Sequence, residues 1–188
     1  MTMRLRTKAS IAALLLVISA CGTVETDRRL PVQEAAKIAR SEALLTRFLS
    51  GNTIWVHSDP DDFGGGHGTQ VEFHAANGKT YLWYPGNSRP VIGQWKVETD
   101  ASGTPALCYL YSRNSFNPVT RARGGNWECS RQNWIYLGDS YKGDVFNLSS
   151  GRLPFTIPDR KFYTVDDLLR MMGKDPASAD MITNLGEL

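Results

Sequence analysis

From residue 51 onward, apolar and polar residues exchange places every one or two positions, in short runs broken by turn residues. Val71 and Phe73 alternate with Glu72 and His74, and Trp95 and Val97 alternate with Gln94 and Lys96. A period of two is the signature of a strand whose faces meet different surroundings. Runs rich in β-branched and aromatic residues predict strands at Thr53–Ser58, Thr69–Ala75, Thr80–Tyr84, Val91–Thr99, Ala106–Ser112, Trp127–Arg131, Asn133–Leu137 and Asp144–Leu148. Asn77-Gly78 predicts a type I′ hairpin turn, which needs positive φ at both central residues. Hairpins without helical crossovers predict a mainly β fold, an antiparallel meander closing into a small barrel or a curled sandwich.

Helical spacing appears only at the flanks. Ala35, Ala36, Ile38, Ala39, Ala43, Leu44, Leu45, Phe48 and Leu49 form a stripe after Pro31, a residue suited to a first helical turn, and Gly51 supplies the stop. Ser41 can instead start a second helix within this stretch. Thr164 caps a short C-terminal helix over Val165–Met172, with Asp166 and Asp167 in its first turn and Gly173 at its end. Residues 31–174 therefore read as one β-rich domain with flanking helices, and 175–188 as a frayed tail.

Before that domain the pattern changes. Arg4, Arg6 and Lys8 precede the apolar run Ile11–Ile18, too short for a membrane span and suited to a secretion signal over residues 1–20. The run ends in Ile18-Ser19-Ala20-Cys21, which resembles the lipobox of bacterial lipoproteins. That resemblance implies cleavage before Cys21, lipid on its sulfur, and acylation of the new amino terminus. Several acyl chains make such an anchor practically permanent. Gly22 rather than Asp at the next position resembles lipoproteins sent to the periplasmic face of the outer membrane. Residues 21–30 then read as a polar tether.

Composition adds boundaries. A chain of 188 residues with 41% hydrophobic and 21% charged residues can bury a real core. Its formal charge of +2 becomes −1 without the three basic leader residues, so there is no basic footprint for nucleic acid. Setting Cys21 aside leaves Cys108 and Cys129, an even pair for an oxidising compartment. A bridge between them closes a loop of about 22 residues, worth roughly 3 kcal/mol on a chain-entropy estimate. Buried thiols or a metal site are the alternatives, the latter disfavoured without a Cys-x-x-Cys or a nearby histidine.

Two stretches offer candidate chemistry. All three histidines, His57, His67 and His74, fall near Asp59, Asp61 and a glycine-rich run, and imidazole with carboxylate suits a transition metal. No histidine pair at helical spacing fixes that geometry, and a calcium loop beginning at Asp59 fails at Phe63. No cofactor is expected. No Gly-x-Ser-x-Gly elbow is present, and bridged cysteines supply no thiolate. The loop carrying Arg113, Arg121 and Arg123 between Tyr111 and Trp127 reads as a candidate recognition surface for an anionic or sugar-like ligand, with a solvated hairpin loop clipped by the disulfide as the alternative.

Gly51-Asn52-Thr53, Gly93-x-Trp95-x-Val97, Leu107-Cys108-Tyr109 and Trp127-x-Cys129 together resemble uncharacterised small secreted β proteins of proteobacteria. The resemblance implies a compact extracytoplasmic β domain and brings no catalytic residues. The expectation is a lipid-anchored envelope domain that binds a small ligand or an envelope protein without catalysis. A metal-dependent hydrolase centred on His57–His74 and a structural or assembly lipoprotein are the alternatives.

Overall fold

A computed structural model describes residues 29–59, 66–118, 121–131 and 138–188. Cys21, Asp61 and the strand expected at Asn133–Leu137 lie outside the described residues. Two helices come first, α1 (Val32–Ala39) and α2 (Glu42–Leu49). They are separate because the Ser41 hydroxyl accepts the Leu44 N–H and caps the second. Gly51, at φ 78°, takes the left-handed conformation that ends it.

Seven strands follow among the described residues: β1 (Asn52–Ser58), β2 (Gly68–His74), β3 (Lys79–Trp83), β4 (Val91–Thr99), β5 (Pro105–Tyr111), β6 (Glu128–Ser130) and β7 (Asp139–Lys142). They form one antiparallel sheet in the order β6-β5-β4-β3-β2-β1-β7, curled into a half-barrel. The fold is mainly β, as the alternation predicts. The turn between β2 and β3 runs from Ala75 to Gly78, and only Gly78 has positive φ. Asn77 instead directs its side-chain oxygen to the Lys79 N–H, so the hairpin closes on a left-handed glycine rather than a type I′ pair.

The strand expected at Asp144–Leu148 is a turn. The Asp144 carboxylate accepts the Leu148 and Ser149 N–H groups, and Asn147 sits at φ 56°. These local bonds satisfy the backbone in place of a ladder. The strand lies just before it, at Asp139–Lys142, where Asp-Ser-Tyr-Lys shows no apolar alternation. The tail is not frayed either. The Ile182 N–H donates to the Ser140 carbonyl, the Lys142 N–H donates to the Asp180 carbonyl, and Ile182 is buried.

Curling gives the sheet an inner and an outer face. Ile54 of β1, Trp95 of β4 and Leu107 of β5 share one core with Ile38, Leu45 and Phe48 of the helices, although β2 and β3 lie between those strands. The sheet must bend round α2 for this to happen. On the outer face Trp55, Val71 and Trp83 meet Phe146, Leu148, Ile157 and Leu168 in a second core. There α3 (Val165–Met171) and the segment before it cover the sheet. The Trp55 and Trp83 indole N–H groups donate to the Tyr163 and Phe155 carbonyls of that cover.

Candidate functional site

The helices cover only part of the inner face. Beyond them the same face turns largely polar, because the inward positions of β2 and β3 are Gln70, Glu72, His74 and Thr80, with Leu82 the apolar one. Tyr109 and Tyr111 of β5 point to the same side, two residues apart, with rings stacked at 5.7 Å and 13° between planes. Gly93 of β4 lies directly opposite Tyr111, and a Cβ there would meet the Tyr111 ring at 2.6 Å. The glycine lets the ring lie across the neighbouring strand.

Glu72 is the centre of this patch. Its Oε1 accepts the Thr80 hydroxyl at 2.6 Å and the Tyr111 hydroxyl at 2.5 Å, and Tyr109 hydrogen-bonds the same carboxyl group. Burial pushes the Glu72 pKa up, and those three donors oppose the shift. The Tyr109 hydroxyl also lies 2.8 Å from His74 Nε2. Burial lowers the His74 pKa to about 3, so at neutral pH this imidazole carries no charge. Both tyrosines are raised well above their usual value, first by burial and then by Glu72. The network holds a carboxyl group with hydroxyl donors and with no cation among the groups that shift it.

Above the tyrosines opens a cavity of about 730 Å³. Its sheet wall is Gln70, Leu82, Val91, Tyr109 and Tyr111. One side wall is the loop after β5, which folds on itself. The Asn117 N–H donates to the Ala122 carbonyl, the Gly125 N–H donates to the Tyr111 carbonyl, and Phe116 bridges to Arg123. The other side is the turn after β3, held to the outer cover by the Gly86 N–H on the Ile157 carbonyl. Tyr84 and Asp159 line that side, where the Tyr84 hydroxyl is hydrogen-bonded to His67 Nδ1. Burial and then Asp159 push Tyr84 up to about 12, and burial lowers His67.

Of the five residues expected to recognise a ligand, Tyr111 lines the cavity and the other four do not. The loop is a wall, but its arginines turn elsewhere. The Arg113 stem lies over Gly125, and Arg123 sits 5.6 Å from the Phe116 ring. Trp127, on the outer side of the sheet, carries Lys96 at 4.6 Å from its centroid. Arg89, which the pattern did not single out, is on the cavity wall.

The three histidines are dispersed. His57 lies on the outer face against the Phe162 ring, His67 contacts Tyr84, and His74 is buried beside Trp95 and Tyr109. Among the described residues, the one group of three metal-ligating side chains within reach of each other is Glu98, Cys108 and Cys129. Cys108 and Cys129 stand opposite each other on β5 and β6 and are joined as a disulfide. That uses both sulfurs and clips the base of the loop that walls the cavity. No protein-family model, curated protein or solved structure matches the chain.

Proposed function

We propose that this chain is a lipid-anchored domain of the bacterial cell envelope that binds a small molecule in the cavity above Tyr109 and Tyr111. The carrying observation is the cavity itself. At about 730 Å³ it has the size of a small-molecule site, and one wall is a sheet braced from behind. Glu72 holds the tyrosines in place through their hydroxyls, so the wall is formed before a ligand arrives. The Ile18-Ser19-Ala20-Cys21 sequence supports the envelope address, with the lipid on Cys21 as the membrane contact. No helix among the described residues is long and apolar enough to cross a membrane.

Ligand-observed NMR of the purified domain against a library of small soluble fragments tests the binding. Fragments that bind should be lost on Ala122→Trp, because Ala122 lines the cavity and an indole there fills it. A protein that binds no fragment, or whose fragments are indifferent to that substitution, does not use this cavity. Intact mass of the membrane-extracted protein tests the address separately. The expected mass is that of a chain beginning at an acylated Cys21.

A further inference from the structure

We infer that the ligand is a neutral, polyhydroxylated ring compound, a short saccharide rather than an anion. This rests on the cavity being the binding site and concerns what that site selects. Tyr111 spends its single hydroxyl proton on Glu72, so toward the cavity it contributes ring surface and no donor. The Tyr109 and Tyr111 rings lie nearly parallel, 13° apart, and both residues line the cavity, so the sheet wall offers aromatic surface to the C–H groups of a pyranose. Phe116, 53% exposed on the loop after β5, adds a third ring to the lining.

Around those rings the wall is built of groups that both donate and accept. Gln70, Asn87, Asn114 and Asn126 on the lining carry amides and Ser112 carries a hydroxyl, while the Ser115 hydroxyl donates to the Ser112 carbonyl. A sugar hydroxyl also donates and accepts, and it meets such a wall without a mismatch. Charge argues against the anionic ligand expected of an arginine loop. One arginine, Arg89, is on the lining together with Glu128 and Asp159, and Arg113, Arg121 and Arg123 are not on it. A ligand of net negative charge would meet two carboxylates for one guanidinium and a third carboxyl group, Glu72, behind the tyrosines.

The test is calorimetric titration of the purified domain with three oligosaccharides of equal length. These are N-acetylated chitotetraose (neutral), tetragalacturonic acid (anionic) and fully deacetylated chitotetraose (cationic), with maltotetraose as a second neutral probe. At least one neutral sugar should bind at least tenfold more tightly than either charged one. Asn126→Ala should weaken it about fivefold, the loss of one neutral hydrogen bond, and Ala122→Trp should abolish it. Tighter binding of a charged sugar overturns the inference. So does failure of both neutral sugars while fragments sensitive to Ala122→Trp still bind, and in that case the cavity reading survives. If neither sugars nor fragments bind, the cavity reading falls and takes the inference with it.

Discussion

The two faces of the sheet bury their side chains by opposite means. On the outer face, Trp83 packs edge-on against Phe146 and Phe155, and Leu168 and Leu169 seal the layer with no exposed surface. The two tryptophan N–H groups there find carbonyls in the covering chain, so apolar burial carries no unpaired donor. On the inner face, beyond α2, a carboxyl group, an imidazole and two phenols are enclosed together. A chain seeking stability alone has little reason to bury Glu72 where residues of similar volume would pack dry. The polar group is placed where it orients the wall of a cavity, and the sealed face supplies the rigidity against which that wall is set.

Acid should separate the faces most strongly. His74 is neutral in the folded protein, with a pKa lowered to about 3, and returns to an ordinary 6.5 on unfolding. Between those values the unfolded chain binds the extra proton, so stability is complete above pH 6.5 and falls as the pH drops toward 3. The full loss is on the order of 5 kcal/mol. Glu72 has the opposite sign, since a raised carboxyl pKa costs stability as the pH rises through its folded value. Half-buried His67 shares the sign of His74. The lowered carboxyl groups of Asp167 and Glu187 act only at the acid end of the range. Urea denaturation from pH 7.5 to 4.5 should therefore give a steep decline that His74→Gln flattens, while keeping a side-chain donor near Tyr109. Equal slopes in the two proteins would mean that His74 is not held neutral.

The sealed face should fail differently. Trp83→Ala removes the largest fully buried side chain of the outer core and should cost about 3–5 kcal/mol at every pH. Because Trp83 does not touch the His74 network, the acid slope should survive in the variant. Denaturation at two pH values checks both statements.

These contrasts explain which parts of the molecule could be read from sequence. Strand positions followed from alternation, because Val71, Trp83 and Trp95 mark inward and outward positions whatever the partner. The Ser41 and Thr164 caps are local and equally visible. Asp139–Lys142 is a strand only because β1 offers it an edge, a fact that no window of four polar residues contains. The site was harder still. Alternation in β2 places Glu72 and His74 on one side and makes that side look solvated. Only the curl of the sheet, which brings β5 tyrosines over β2, turns it into an interior. Three arginines in one loop drew attention to the loop for the wrong atoms. Its amides and Phe116 reach the cavity, whereas the Arg113 stem is needed to pack on Gly125.

Tyr111→Phe tests the polar end without opening a void. The ring stays on Gly93, but Glu72 loses one of its donors. With Thr80 and Tyr109 still donating to the carboxyl group, losing one hydrogen bond to it should cost about 1–2 kcal/mol. The penalty should grow with pH, since an ionised carboxyl group misses the donor more than a protonated one does. A penalty independent of pH would show that Glu72 does not change its protonation state within the range measured.

The smallest effect expected belongs to the sealed face again, at Thr164. Its hydroxyl accepts the Asp167 N–H at 3.1 Å, while the Asp167 carboxylate accepts the Thr164 N–H at 3.0 Å, a reciprocal capping box. Val165, Leu168 and Leu169 are buried against the sheet immediately behind this cap, so the bond fixes where α3 begins over the outer core. Thr164→Ala should cost about 1 kcal/mol, and Thr164→Ser should restore most of it. The Asp167 pKa is held down chiefly by the Thr164 hydroxyl, so the alanine variant should also lose the stability that Asp167 contributes above its ordinary value. The difference between the two proteins must then shrink as Asp167 becomes protonated in acid. A gap that persists unchanged in acid would place the loss in packing rather than in the cap. A loss well above that size would mean that α3 is held to the sheet by its first turn more than by its leucines.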